Sequence, residues 1–270
     1  MQNTPKIDQK VRLSVVVPAY LQETTIKRNL KDIASYLRGR GYIFEVICVV
    51  DGSADATLAN AKTVNDPEVK VFGYEHNKGK GYALRYGMAR SKGEIIAFLD
   101  SGFEIPPASI VMGLQHFEWY NADIIVGSKR HIASKVYYPF MRRVLSFGYQ
   151  FLARVLFGLK IRDTQVGVKI FKREVLEKTL PRLLVKRYAF DIEILAVANY
   201  LGFSRIYESP VEINYDFQSL TKASTLRTIL NMAQDTFAVF YRLRILHYYD
   251  SKMKRKWVYD PELDLKVNVG

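Results

Sequence analysis

Five short apolar runs rich in β-branched residues punctuate the first half of the chain, each separated from the next by a segment of helical length. They are Leu13–Val17, Phe44–Val50, Val69–Tyr74, Glu94–Leu99 and Asp123–Gly127. Glu23 to Leu37 places Ile26, Leu30, Ile33 and Leu37 on one helical stripe and stops at Gly39 and Gly41. Asp51–Asp55 is a turn that can cap a helix to about Val64, Gly81–Ala89 reads as helix, and Ile105-Pro-Pro opens a helix to about Tyr120. Strands alternating with helices of this length form βαβ crossovers, so the fold class is α/β with a mainly parallel sheet. Ligands of such sheets sit beyond the carboxyl ends of the strands. That rule singles out Pro18–Glu23, Asp51–Asp55, His76–Gly81, Asp100–Glu104 and Gly127–His131.

After His131 the pattern changes. Tyr137–Phe157 is helix-like but apolar on most sides, with Arg142, Ser146, Gln150 and Arg154 in one i, i+4 row. A second such stretch, Leu226–Tyr249, precedes Lys252, Lys254, Arg255, Lys256 and Trp257. No apolar run approaches the ~18 residues a spanning helix needs, so these stretches read as interfacial elements. The 270 residues carry 40 Lys+Arg against 27 Asp+Glu, a net charge of +13 that draws the chain to polyanions. An anionic membrane surface is the expected partner; no nucleic-acid module is recognisable. Cys48 stands alone, which excludes an internal disulfide framework and a cysteine zinc site and fits a reducing compartment. Met1–Lys10 is polar and holds no signal-peptide apolar stretch. The organisation expected is a polar segment 1–10, one α/β domain over 11–224 that includes interfacial helices at about 136–157, and a C-terminal amphipathic helix with a basic tail over 225–270.

Seven motifs then fall in a telling order. Val17-Pro-Ala-Tyr-Leu-Gln-Glu23, Val49-Val-Asp-Gly-Ser53, Asn77-Lys-Gly-Lys-Gly81, Asp100-Ser-Gly-Phe-Glu104 and Val126-Gly-Ser-Lys129 are followed by Arg162-Asp-Thr-Gln-Val-Gly-Val-Lys-Ile-Phe171 and Ala189-Phe-Asp-Ile-Glu193. Together they resemble family 2 glycosyltransferases of the polyprenyl-phosphate (dolichyl-phosphate) hexosyltransferase group, nearer the glucosyl than the mannosyl branch. The resemblance runs roughly from Leu13 to Leu246. It implies a GT-A fold with a single Rossmann-like sheet, a nucleotide-sugar donor, Mg²⁺ or Mn²⁺, a polyprenyl-phosphate acceptor and inversion at the anomeric carbon. The expected place of work is the cytoplasmic face of a membrane, with peripheral attachment.

The residues make chemical sense in that frame. Tyr20 can lay its ring against a base, and Asp51 can accept from a base N–H; taken alone, the one is equally a core-rim tyrosine and the other a turn-maker. Pro18, Ala19, Gln22, Glu23, Val49 and Ser101 match positions along the nucleotide, and Lys80 suits a phosphate. Lys222 matches a segment that closes over the donor in relatives; alone it is as readily a mobile surface lysine. Asp100 takes the first place of the family's Asp-x-Asp, and Glu104 is a second metal ligand in some relatives. Gly102 stands where the second Asp is usual, and Val50 replaces the first Asp of Asp-Asp-Gly-Ser. On the acceptor side the resemblance implies Lys129, Arg130, Arg142 and Ser146 at the lipid phosphate, because a guanidinium grips phosphate bidentately. Arg142 alone would read as part of a solvated helix face. Asp163 and Asp191 are candidates for the reaction centre. A phosphate nucleophile is already largely ionised near neutral pH, so these carboxylates serve as readily to orient Lys or Arg as to take a proton. Two rival readings remain: a GDP-mannose-dependent enzyme, and a catalytically silent relative, which Gly102 and Val50 favour.

Overall fold

The computed structural model describes residues 11–102, 105–134, 140–185, 189–212, 226–250 and 256–268. Seven strands form the central sheet: β1 (Leu13–Ala19), β2 (Phe44–Asp51), β3 (Val69–Tyr74), β4 (Ile95–Leu99), β5 (Ile124–Ser128), β6 (Val168–Lys172) and β7 (Ile206–Pro210). Their order across the sheet is β3-β2-β1-β4-β6-β5-β7. The helices are α1 (Ile26–Arg38), α2 (Thr57–Lys62), α3 (Lys80–Ala89), α4 (Ala108–Trp119), α5 (Phe140–Phe157), α6 (Arg173–Thr179), α7 (Phe190–Tyr200) and α8 (Leu226–Phe240). All five strands expected from the first half are present, with ends shifted by no more than two residues.

Both faces of the sheet are covered, which is why the strands read as unbroken apolar runs rather than alternating ones. Val15 and Val17 of β1 face one layer with Val46 and Cys48 of β2, while Val16, Ile47 and Val49 face the other. On the first layer α1 lays down Ile26, Leu30, Ile33 and Leu37, all fully buried. Each contributes on the order of 1.5–3 kcal/mol by leaving water. The opposite layer is built on α7, whose first nine residues are all buried. α7 therefore lies inside the core, with its two buried carboxylates paired: Asp191 with Lys169, and Glu193 with the Leu184 and Val185 amides and the Tyr249 hydroxyl. Burial also pushes the Cys48 thiol up to about 12, leaving it an inert core residue.

One strand breaks the parallel rule. β6 lies between β4 and β5 and runs antiparallel to both. Its beginning, rather than its end, therefore sits at the carboxyl edge of the sheet, with Val168 opposite Leu99. The last described residues differ from the expected tail. Trp257–Asp260 (β8) and Leu265–Asn268 (β9) pair as an antiparallel hairpin. The helix expected over Leu226–Tyr249 is α8 followed by one π-helical turn, Tyr241–Ile245. Lys252, Lys254 and Arg255 lie outside the described residues.

Candidate active site

The tips of β1, β2 and β4 and the start of β6 converge on one cleft of about 620 Å³. Pro18, Ala19 and Tyr20 leave β1 along one wall, and Asp51 closes β2. Asn77, Gly79 and Lys80 lead into α3, while Asp100, Ser101 and Gly102 follow β4. Lys129 follows β5, and Gln165 and Gly167 precede β6. Tyr20 is 43% exposed, so its ring is free to stack.

Asp51 is 3% exposed and organises the loop before α3. Its Oδ1 accepts from the Lys78 amide (2.7 Å) and the Tyr74 hydroxyl (2.9 Å), and its Oδ2 from the Gly79 amide (3.0 Å). The Asn77 side-chain amide donates to the Asp51 carbonyl (3.2 Å). The turn needs glycine at both ends of this contact: Gly52 has φ +95 and Gly79 φ +94, and a Cβ on Gly52 would meet the Asn77 nitrogen at 2.9 Å. Burial, and then the Asp51 charge, hold the Tyr74 hydroxyl in its protonated, donating form.

Asp100 sits at the centre of the cleft floor. Lys80 Nζ donates to its Oδ2 (2.9 Å) and lies 2.7 Å from Oδ1. The second contact is out of alignment, so Oδ1 is buried without a hydrogen bond. A hard carboxylate on the floor of a cleft, with its side chain 43% exposed, can offer an oxygen to a divalent cation. Among the described residues no group of three His, Cys, Asp or Glu gathers to complete such a site. Asp100 thus fits a metal whose remaining ligands come from substrate oxygens and water. Glu104 lies outside the described residues. The Asp100 amide donates to the Gly167 carbonyl (3.0 Å), and Asn29 anchors the next residue by donating to the Ser101 carbonyl (2.7 Å).

Asp163 does not line the cleft; it supports two residues that do, accepting from the Lys129 amide (3.4 Å) and the Gln165 amide (3.1 Å). Glu208 holds the same turn by accepting from the amides of Arg162 (2.8 Å) and Asp163 (3.1 Å). Arg130 reaches away from the cleft lining and donates to Gln150 of α5. Asp191 lies in the core instead of the cleft. It pairs with the fully buried Lys169 at 2.6 Å, and Lys169 also donates to the Val166 carbonyl at 2.9 Å. Burial pushes the Lys169 ammonium down, and Asp191 opposes that. Asp191 is thereby a holder of the segment that carries Gln165 and Gly167.

Other expected site residues are placed elsewhere. Val49 is a core residue with no exposure. The Gln22 amide donates to Thr57 (2.7 Å), and Glu23 accepts from the Ala56 amide (3.1 Å), so both brace the entry to α2 and neither lines the cleft. Lys222 lies outside the described residues. Arg142 and Ser146 fall on α5, with their side chains outside what is described. The site list drawn from the sequence omits Asn77, Gln165 and Gly167, although all three stand inside its motifs.

Apolar side chains also collect outside the core. On α5 Phe151 is 71% and Val155 64% exposed, while Ala153 and Phe157 are buried. Phe237, Tyr241 and Ile245 recur every four residues along α8 and the π turn, each more than half exposed. The two helices meet through Phe157 and Phe240, whose ring centres are 6.4 Å apart. Among the described residues no helix is long and apolar enough to cross a membrane.

Comparison with known proteins places this architecture. Residues 14–180 match the profile of "Glycosyl transferase family 2". Human dolichyl-phosphate beta-glucosyltransferase is 34% identical over 254 residues, 87% of this chain and 76% of that protein. The Drosophila melanogaster enzyme of the same name is 30% identical, covering 90% of this chain and 77% of its own, and that of Saccharomyces cerevisiae 26%, covering 93% and 80%. Among solved structures, glucosyl-3-phosphoglycerate synthase from Mycobacterium tuberculosis superposes with a TM-score of 0.62 at 19% identity, covering 92% of this chain and 81% of that one. That protein was crystallised with Mn²⁺, UDP and phosphoglyceric acid. Mannosyl-3-phosphoglycerate synthase from Rubrobacter xylanophilus gives a TM-score of 0.66 at 15% identity, over 96% and 86% of the two chains. The sheet order, the cleft at its carboxyl edge and these matches together make the chain a GT-A enzyme of glycosyltransferase family 2, related to the dolichyl-phosphate beta-glucosyltransferases.

Proposed function

We propose that this enzyme transfers glucose from UDP-glucose to a dolichyl or related polyprenyl phosphate at a membrane surface, with inversion to a β-linked product. The observation that carries the reading is the joint one of a lysine-and-carboxylate cleft at the strand ends and a relative of that activity at 34% identity along 87% of the chain.

In this reading Tyr20 stacks on the uracil, and the loop held by Asp51 offers its backbone and Lys80 to the diphosphate. Asp100 would hold Mg²⁺ or Mn²⁺, and that ion would supply positive charge to the leaving diphosphate. Lys80, beside Asp100, adds its own positive charge for the diphosphate. The acceptor phosphate needs no strong base, because it is already largely ionised at neutral pH. Lys129, which lines the same cleft, takes the acceptor phosphate, with Asp163 accepting from the Lys129 amide. Arg130 is a further candidate for the lipid phosphate, as are Arg142 and Ser146 by their match to the family's motif. The apolar faces of α5 and α8 rest among lipid headgroups, so the acceptor never leaves the membrane.

The reading is tested by incubating the protein with vesicles containing polyprenyl phosphate and a panel of nucleotide sugars, then analysing the lipid product. Vesicle sedimentation tests the surface reading separately. Binding is expected to be strongest on anionic lipid at low salt. A protein that stays in the supernatant under those conditions removes the interfacial role of α5 and α8.

A further inference from the structure

We infer that the C-terminal hairpin positions the donor-phosphate loop, with Glu262 as the residue that transmits its hold. This rests on the donor-site reading above and extends it to a part of the chain remote in sequence from every motif.

The hairpin is fastened to the body of the enzyme. Leu263 at its turn is buried, and the Arg182 guanidinium lies 5.5 Å from the centre of the Trp257 ring. Asp260 shapes the turn by accepting from the amides of Glu262 (2.9 Å) and Leu263 (3.1 Å). Arg90, at the far end of α3, donates to the Glu262 carbonyl (3.0 Å). The Glu262 side chain is thereby aimed at the other end of the same helix, where it accepts from the Tyr82 hydroxyl (2.6 Å) and the Lys78 ammonium.

Lys78 is consequently held from two sides. Its ammonium lies 4.7 Å from the centre of the Tyr82 ring and 5.6 Å from that of Tyr74, with Glu262 against it. Its amide donates to Asp51 at 2.7 Å. Tyr74, one of the two rings, donates its hydroxyl to the same Asp51 oxygen. The side chain points to the hairpin and the backbone to the cleft, two residues before Lys80, whose ammonium meets Asp100. Two lysines of one short loop are thus sorted. Lys78 is drawn outward into an aromatic and carboxylate seat, and Lys80 is left facing the site. An exposed ion pair contributes little to stability by itself. Its effect here is geometric: it selects one loop conformation, and a phosphate site made of backbone and one lysine binds only as well as that conformation is populated.

The test compares the wild-type 270-residue chain with Glu262→Gln, Glu262→Ala, Lys78→Met and the double variant Lys78→Met/Glu262→Gln. UDP affinity is measured by calorimetry, and kcat and KM for each substrate by product formation. Glu262→Gln keeps the shape and removes the charge, so it guards against an unfolded Glu262→Ala; melting temperatures check both. The expected result is UDP affinity weaker by about three- to tenfold and donor KM raised alike. kcat at saturating donor and the acceptor KM stay within about twofold, because neither lysine contact reaches the acceptor. The double variant should be no worse than the worse single one, since both changes break one seat. Wild-type UDP affinity in all variants overturns the inference and leaves the donor reading standing. A fall in kcat with donor KM unchanged overturns it equally. A wild-type protein that binds no UDP refutes the donor reading itself, and the inference falls with it.

Discussion

A Cβ built on Gly167 would lie 2.4 Å from Oδ2 of Asp100. That oxygen is the one Lys80 holds at 2.9 Å. The glycine is therefore the wall against which the central carboxylate is set, and the contact exists because β6 runs antiparallel and starts beside the end of β4. Gly167→Ala is expected to rotate Asp100 out of its place and lower kcat/KM by at least about tenfold, or ~1.4 kcal/mol of transition-state stabilisation. Steady-state kinetics alongside a melting curve checks this; a wild-type rate in a folded Gly167→Ala protein contradicts it.

Gly102 gives the opposite case. Among the described residues a Cβ there meets nothing within 4 Å, and its backbone has no positive φ to demand glycine. Gly102→Asp restores the second carboxylate of Asp-x-Asp into open space. Metal affinity, read by calorimetry with Mn²⁺ and UDP, is expected to rise at unchanged folding stability. Unchanged affinity would mean that the site is already completed by other groups, Glu104 first among them.

Asp51→Ala removes the acceptor shared by two amides and a tyrosine hydroxyl. UDP binding should weaken by ~1–3 kcal/mol, the scale of hydrogen bonds to a charged group. Calorimetry with UDP and GDP measures it, and unchanged affinity for both removes the loop from the donor site.

Much of this site was readable because β-branched runs end where chemistry begins. The rule that ligands bind at strand ends led directly to Pro18, Tyr20, Asp51, Lys80, Asp100 and Lys129. It failed at Gln165 and Gly167, because they precede an antiparallel strand and reach the same edge from the other direction. β6 itself carries Lys169 at its second position, and a charge inside a five-residue run hides a strand from any hydrophobic pattern. The hairpin was hidden for a similar reason: Trp257–Asn268 mixes charged and apolar residues, and its partners, Lys78, Tyr82, Arg90 and Arg182, are remote in sequence. Asp191 was recognised from its motif, but only packing assigns it to Lys169.

That buried pair predicts its own stability signature. Lys169→Met leaves Asp191 buried without its counter-charge and should cost ~3–5 kcal/mol. Adding Asp191→Leu is expected to recover most of the loss, because two packed apolar groups need no pairing. Urea unfolding of the two variants measures both steps, and a Lys169→Met protein as stable as wild type would contradict the pairing.

Asp123 supplies a pH test. Burial raises its pKa, but hydrogen bonds from Arg205, with the Lys172 charge, outweigh this and hold it below the usual carboxylate value. A depressed folded value means that the charged form stabilises the fold above the unfolded pKa of about 3.9, and that this stability is lost as pH falls through the lower folded value. Asp123→Asn should therefore be less stable than wild type by ~1–3 kcal/mol above about pH 5, with the gap narrowing below about pH 4. Unfolding curves across that range check the sign; a gap independent of pH contradicts it.

The central claim is tested most directly by the lipid product itself. Wild-type protein is incubated with polyprenyl-phosphate vesicles, Mg²⁺ or Mn²⁺, and either UDP-glucose or GDP-mannose, and the extracted lipid is analysed by mass and anomeric configuration. The account predicts a β-glucosyl polyprenyl phosphate from UDP-glucose, formation of which stops with excess chelator and in Asp100→Asn. A mannosyl lipid formed in preference, or no glycolipid from any donor by a folded protein that binds UDP, would contradict it.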